Sequence, residues 1–243
     1  MTDWAAPGFV DPPDDVDVEP SDGQTDRDAV LHSRRVQYET AGMDVDDVDK
    51  DPVVQWDRWF QEAYAAGVAE PNAISLATVG LDGAPDSRIV LIREAGRGGL
   101  VFYTNYDSAK SRQFEAHPHA AAVFSWLELH RQVRIRGRVE PVSDEASDLY
   151  FASRPRASQL GAWASPQSKV VADRAEIEAL VAARTLEFAD EPVPRPPNWG
   201  GWRLVPTEWE FWQGRSDRLH DRLRYRLSST GRGADWDIER LAP

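Results

Sequence analysis

From Ala73 onward, short apolar runs follow one another at hairpin spacing, and no other feature limits the fold of this chain so tightly. Ala73 to Val79 and Ser87 to Arg93 read as strands flanking the turn Leu81-Asp82-Gly83-Ala84-Pro85. Leu100 to Thr104, Ala120 to Trp126 and Gln132 to Val139 read as further strands, the first entered through the Gly-rich turn Ala95 to Gly99. The tail adds Gly201 to Val205, Trp209 to Gln213, Leu219 to Leu227 and Trp236 to Leu241. Helical spacing is confined to 52–68, with Asp51 as cap and Pro52 at the first position, and to 107–116, 143–151, 155–163 and 172–188. Pro192 to Pro197 is a proline-rich loop. Consecutive strands without alternating helices argue against a doubly wound parallel sheet. They predict a mainly β (α+β) architecture, an antiparallel barrel closed or nearly so, with peripheral helices.

Charge is distributed unevenly. The formal net charge is −13, yet residues 1–28 carry nine acids against Arg27, and residues 44–51 carry five Asp against Lys50. Residues 52–243 are close to neutral. The expected organisation is a disordered acidic arm over 1–30 and one domain over 31–243. The acidic balance argues against nucleic acid as a partner. The chain has no run of 18 apolar residues and no secretory pattern at its start, so neither a membrane span nor export is expected, and a cytoplasmic setting fits. Absence of cysteine removes thiol nucleophiles, disulfides and thiolate metal sites. His117-Pro118-His119 reads as a helix stop, so no metal site is expected.

What remains chemically distinctive is arginine within ordered segments. Arg88 and Arg93 bracket Ile89-Val90-Leu91-Ile92. Gln132, Arg134, Arg136 and Arg138 alternate with apolar positions, giving one strand a polar, basic face. Arg154, Arg156 and Ser158 sit near a helix start, where free N–H groups favour an anion. Arg218, His220 and Arg222 fall on one face of an expected strand. Two readings stay open: one or two bound phosphate groups, or internal pairing with Asp and Glu.

Several stretches resemble one family. Arg88-Ile-Val-Leu-Ile-Arg93, Phe102-Tyr-Thr-Asn105, Arg154-Pro-Arg-Ala-Ser-Gln-Leu-Gly-Ala-Trp163, Gln167-Ser168, Phe211-Trp-Gln-Gly214 and Arg218-Leu-His-Asp-Arg222 are similar to the pyridoxine/pyridoxamine 5′-phosphate oxidases, as is the ending Glu239-Arg-Leu-Ala-Pro243. The resemblance runs in order from about Arg35 to Pro243. It implies an FMN-binding split β-barrel, and a homodimer with two FMN sites at the subunit interface. It also implies O2-dependent oxidation of pyridoxamine 5′-phosphate or pyridoxine 5′-phosphate to pyridoxal 5′-phosphate, with release of H2O2. Carried over by position, FMN contacts would come from Arg88, Ile89, Val90, Leu91, Ile92, Arg93, Tyr103, Thr104, Lys110, Gln132, Gln167, Ser168, Trp212 and Arg222. Substrate contacts would come from Arg93, Tyr150, Arg154, Ser158, Arg218 and His220, with Arg35 and Tyr38 folding over the site. Arg218 and His220 would act in catalysis, flanking the substrate ring. If 150–158 is one helix, Tyr150, Arg154 and Ser158 share a face.

Two positions depart from the family pattern. Residue 93 is Arg where Lys is usual, and residue 109 is Ala where Arg is frequent. Loss of one charge-assisted hydrogen bond implies roughly 10–100-fold weaker FMN binding unless another group compensates. Arg112, one helical turn on, is the expected substitute. A flavin oxidase of phenazine biosynthesis and a flavin- or pyridoxal phosphate-binding module without turnover are the competing readings.

Overall fold

Nine strands and five α-helices build the described part of the chain. The computed structural model describes residues 38, 40, 42–228 and 235–243. The expected arm over 1–30 and Arg35 lie outside the described residues. In chain order the elements are α1 (Pro52–Ala65), β1 (Ala73–Val79), β2 (Pro85–Leu91), β3 (Glu94–Gly96), β4 (Gly99–Asn105), α2 (Ala109–Ala116), β5 (His119–Trp126) and β6 (Arg131–Pro141). There follow α3 (Asp144–Ser153), α4 (Arg156–Ala164), α5 (Arg174–Phe188), β7 (Trp199–Gln213), β8 (Asp221–Leu227) and β9 (Trp236–Leu241). Every strand pair is antiparallel, in the order β2-β1-β5-β6-β7-β4-β3, with β8 on β7 and β9 on β8. The sheet curls into a split barrel, mainly β, with the helices at its periphery.

Strand alternation places the core. Along β1 every second residue is buried, so Ile74 and Leu76 point inward. Along β6 the inward set is Val133, Ile135 and Val139, while its arginines face out. Helix α1 closes one side of the barrel. The Asp51 carboxylate accepts the Val53 N–H at 2.9 Å and starts the helix. Trp56 then packs on Phe124 with ring centroids 5.5 Å apart, and Trp59 meets Phe211 edge-on at 5.3 Å. The acidic stretch 44–51 is folded onto this body: Asp44 caps a 3-10 turn and pairs with Arg240, and Tyr225 Oη donates to the Asp49 carbonyl.

Several expected boundaries change, among them the second strand, which runs Pro85–Leu91 and not 87–93. The runs 201–205 and 209–213 are one strand, β7, which continues through Pro206. Gly137 pairs with Pro206 and Arg136 with Glu208, so Thr207 is an extra residue in a bulge. Proline needs no donor there, and Thr207 Oγ1 donates to the Arg136 carbonyl at 3.2 Å. The expected Gly-rich turn over 95–99 takes in the last two residues of β3, which pairs with β4, Gly96 opposite Gly99; Gly99 has φ +119, and a side chain there would run into the Leu204 carbonyl.

Phe211 is fully buried between Trp59, Trp209 and Tyr225. Phe211→Ala is expected to cost about 3–5 kcal/mol, read as a lower denaturant midpoint.

Candidate active site

A cavity of about 820 Å3 opens between β2, β4, the start of α2, the α3–α4 corner and the loop 165–168. It gathers Arg88, Ile89, Val90, Leu91, Arg93, Tyr103, Thr104, Lys110, Tyr150, Arg154, Ser158, Gln167 and Ser168, all predicted as site residues. Ile92 does not belong with them. It has turned into the core, 5% exposed, and its N–H donates to the Asn72 carbonyl. Trp199 also lines the cavity; the sequence pattern assigns it no role, since the closing strand expected there starts only at Gly201. Its signal was available in the unusual juxtaposition of the proline-rich loop with Trp199-Gly200-Gly201.

Residues 150–158 are not one helix. Helix α3 stops at Ser153, Arg154 is extended at φ −74 and ψ 147, and Pro155 begins α4. Proline removes an N–H donor and disfavours helical geometry in the residue before it. The break does not disperse the three residues: Tyr150, Arg154 and Ser158 still share the cavity. Tyr150 stacks on Tyr103 at 3.9 Å, and both rings lie nearly parallel to Trp199. The Arg154 guanidinium lies 4.6 Å from the Trp199 ring centroid. Its Nη1 is buried and has no hydrogen-bond partner. Burial pushes the Arg154 pKa down, and the nearby charge of Arg93 adds to that. A half-buried cation with an unmet donor is a site for an anion.

The other end of the cavity is built on Lys110, which is 9% exposed. Its Nζ donates to Thr104 Oγ1, Ser108 Oγ and Gln167 Oε1 at 3.1–3.2 Å, all neutral acceptors. Burial, and then the charge of Arg88, lower its pKa to about 8. Arg88 is held by Thr78, Gln113 and Asp86. Ser168 sits at φ +68, a strained backbone beside Gln167. Arg112, the expected substitute for Ala109, is outside the cavity lining and donates to the Asp107 carbonyl.

The remaining predicted residues form a second group, away from this lining. Gln132 pairs with Trp212 across β6 and β7, and Arg222 pairs with Trp212 across β7 and β8. Trp212 packs on His220 at 4.6 Å, and Tyr38 packs on His220, Trp212 and His130. The expected single strand face for Arg218, His220 and Arg222 is not formed. Ser216–Arg218 is a 3-10 turn, and Arg218 has φ +62, so β8 starts only at Asp221. Arg218 is exposed and makes no ion pair among the described residues. His220 Nδ1 accepts the Arg215 N–H at 3.1 Å. Arg222 and Arg134 both pair with the buried Glu210, so internal pairing engages both arginines on one carboxylate.

Comparison with known proteins gives one family. A family model described as pyridoxamine 5′-phosphate oxidase matches residues 60–186. A second, described as the pyridoxine 5′-phosphate oxidase C-terminal dimerisation region, matches residues 199–243. A pyridoxine/pyridoxamine 5′-phosphate oxidase of Burkholderia lata is 54% identical over 213 residues, 88% of this chain and 99% of the relative. One of Acidovorax is 53% identical over 209 residues, 86% of this chain and 94% of the relative. Among solved structures, PhzG from Burkholderia lata in complex with tetrahydrophenazine-1-carboxylic acid superposes with a TM-score of 0.77 at 32% identity, covering 86% of this chain and all of the other. A pyridoxamine 5′-phosphate oxidase-related, FMN binding protein from Nostoc punctiforme shares the fold, with a TM-score of 0.62 at 20% identity over 77% of this chain and 97% of the other.

An anion beside Lys110 favours its protonated form, so anion affinity should be fullest below about pH 8 and fall as pH rises through it. Sulfate, whose charge is constant there, is the probe for calorimetry between about pH 7 and about pH 9.5; Lys110→Met should bind weakly with a flat profile. The ligand-free chain should gain stability from this group above about pH 8, because the unfolded chain then holds the lysine proton more tightly.

Proposed function

The chain belongs to the pyridoxamine 5′-phosphate oxidase family, and we propose that it oxidises pyridoxamine 5′-phosphate and pyridoxine 5′-phosphate to pyridoxal 5′-phosphate. FMN is the proposed cofactor and O2 the final acceptor, with H2O2 released; the amine substrate in addition takes up water and loses ammonia, whereas the alcohol loses only two hydrogens. The observation that carries this reading is the cavity with cationic groups at both ends, Lys110 with only neutral partners and Arg154 with a buried, unmet donor. Two phosphate esters, one on the cofactor and one on the substrate, fit such a pair.

When bound, FMN would supply a two-electron acceptor for a hydride from substrate C4′, and O2 would take up those electrons, with two protons, as H2O2. The chain supplies binding and orientation. Lys110, Thr104, Gln167 and Ser168 would hold the cofactor phosphate, with Arg88 beside them. Arg154, Tyr150 and Ser158 would hold the substrate phosphate by a guanidinium and two hydroxyls. Trp199 backs Arg154 and keeps water off that side of the guanidinium. His220 accepts at Nδ1, so its neutral ring carries the proton at Nε2 and can donate a hydrogen bond to the substrate from there. Arg218, exposed and unpaired among the described residues, is free to bind an anionic or developing negative group.

The proposed working unit is a homodimer. Trp199 lines the cavity and Trp212 belongs to the second group, thirteen residues apart on one strand. At about 3.3 Å per residue that is on the order of 40 Å of contour. None of the second group lines the cavity of its own chain, and a symmetric partner could offer its second group to that cavity. The match of residues 199–243 to a dimerisation region supports this. A second reading, oxidation of a larger ring without phosphate, draws on the likeness to PhzG. The groups at Tyr150, Arg154 and Ser158 favour the phosphate ester.

The purified chain should show a flavin spectrum, directly or after addition of FMN, and should form pyridoxal 5′-phosphate and H2O2 from pyridoxamine 5′-phosphate in air. Flavin binding without that product supports the second reading, and no flavin after addition of FMN would overturn the proposal. Arg218→Ala should lower kcat at least ~100-fold while FMN affinity changes less than ~3-fold; equal losses would make Arg218 a cofactor residue instead.

A further inference from the structure

The proline-rich loop before β7 carries an arginine that has no assigned role. Arg195 is 12% exposed at its side chain and makes three contacts at once. Its Nε donates to Asp148 Oδ1, its Nη2 to Asp144 Oδ1 at 2.8 Å, and its Nη1 to the Trp199 carbonyl at 2.7 Å. Asp144 and Asp148 lie on the first turns of α3, the helix whose far end carries Tyr150 and leads into Arg154. Trp199 is the first residue of β7 and provides the ring against which Arg154 rests. One planar group thus ties together the two elements that form the walls around Arg154.

We propose that Arg195 is a positioning residue for phosphate-ester binding: it sets the separation between α3 and the start of β7, and so the seating of Arg154 against Trp199. This rests on the proposed function, because it assigns Arg154 to the substrate phosphate. The loop itself is anchored independently. Trp163 Nε1 donates to the Pro194 carbonyl at 2.7 Å, and Arg156 donates to the Ala189 and Glu191 carbonyls. Helix α3 keeps a second tie to β7, since the Gly201 N–H donates to Ser147 Oγ. Removal of Arg195 therefore loosens one separation and leaves the neighbouring anchors in place. Lysine is a poor replacement. It offers one compact charge, which can serve an aspartate but does not span two carboxylates and a carbonyl in one plane.

The test uses the full chain with FMN bound, comparing wild type, Arg195→Ala and Arg195→Lys. Pyridoxal 5′-phosphate is the probe for equilibrium binding, and pyridoxamine 5′-phosphate is the substrate for kinetics. The expected result for Arg195→Ala is ~10-fold weaker binding of the probe and a KM raised to match, with kcat and FMN affinity within ~2-fold of wild type. Arg195→Lys should fall between the two, and it keeps the comparison open if the alanine variant does not fold. Unchanged probe binding in either folded variant overturns the proposal for Arg195 alone. Loss of FMN affinity in step with probe affinity also overturns it, since that is general loosening of the barrel. A wild-type chain that binds the probe but does not turn over substrate removes the proposed activity and leaves the Arg195 comparison readable by binding. A wild-type chain that binds no probe overturns both.

Discussion

β7 is paired with β6 from Trp202 to Gln213, and its other edge passes from β4 to β8 where Pro206 and Thr207 interrupt the ladder. The described architecture depends on that handover. The first half of β7 fixes β4, which delivers Tyr103 and Thr104 to the cavity. The second half fixes β8 and, through it, β9. A proline in mid-strand would ordinarily end a sheet, but the bulge provides a position where no donor is required. The same interruption lets one strand serve two neighbours in succession.

The electrostatics separate basic side chains of two kinds. Arg134 and Arg222 share the carboxylate of Glu210, and Arg195 has two aspartates; each of these cations has an acidic partner within the fold. Lys110 and Arg154 have no such partner among the described residues, and both are partly withdrawn from water. Holding a cation under those conditions is costly unless something negative arrives. The chain sustains the cost with neutral acceptors at one end and an aromatic face at the other. Both are weaker partners than a carboxylate, so neither competes strongly with a phosphate.

Much of this was legible in the sequence, for identifiable reasons. Period-two burial in β1 and β6 follows from local pattern, and Asp51-Pro52 marks the start of α1 through chemistry confined to three residues. The errors came where two residues far apart decide the outcome. That 201–213 is one strand depends on the bulge opposite Gly137, more than sixty residues earlier. The basic face of β6 could not be told from an anion site until Glu210 was seen beneath Arg134. The separate helical runs 143–151 and 155–163 already place a break before Pro155; the shared helical face of Tyr150, Arg154 and Ser158, which needs one continuous helix, does not form. The corner at Pro155 brings the same residues together by another route. Arg218 at φ +62 is a feature no strand pattern reveals.

The pairing of β4 with β7 also bears on how the protein is made. Leu100 meets Leu204, more than a hundred residues later. Until β7 leaves the ribosome, β4 lacks a partner on that edge, although Leu100, Val101 and Phe102 are among its most apolar residues and are buried in the finished fold. Contacts this distant in sequence are slow to form, and an unpaired apolar strand is a template for wrong association. Nascent chains should thus spend a vulnerable interval with the sheet incomplete, in which yield is governed by chaperone access and synthesis rate more than by final stability.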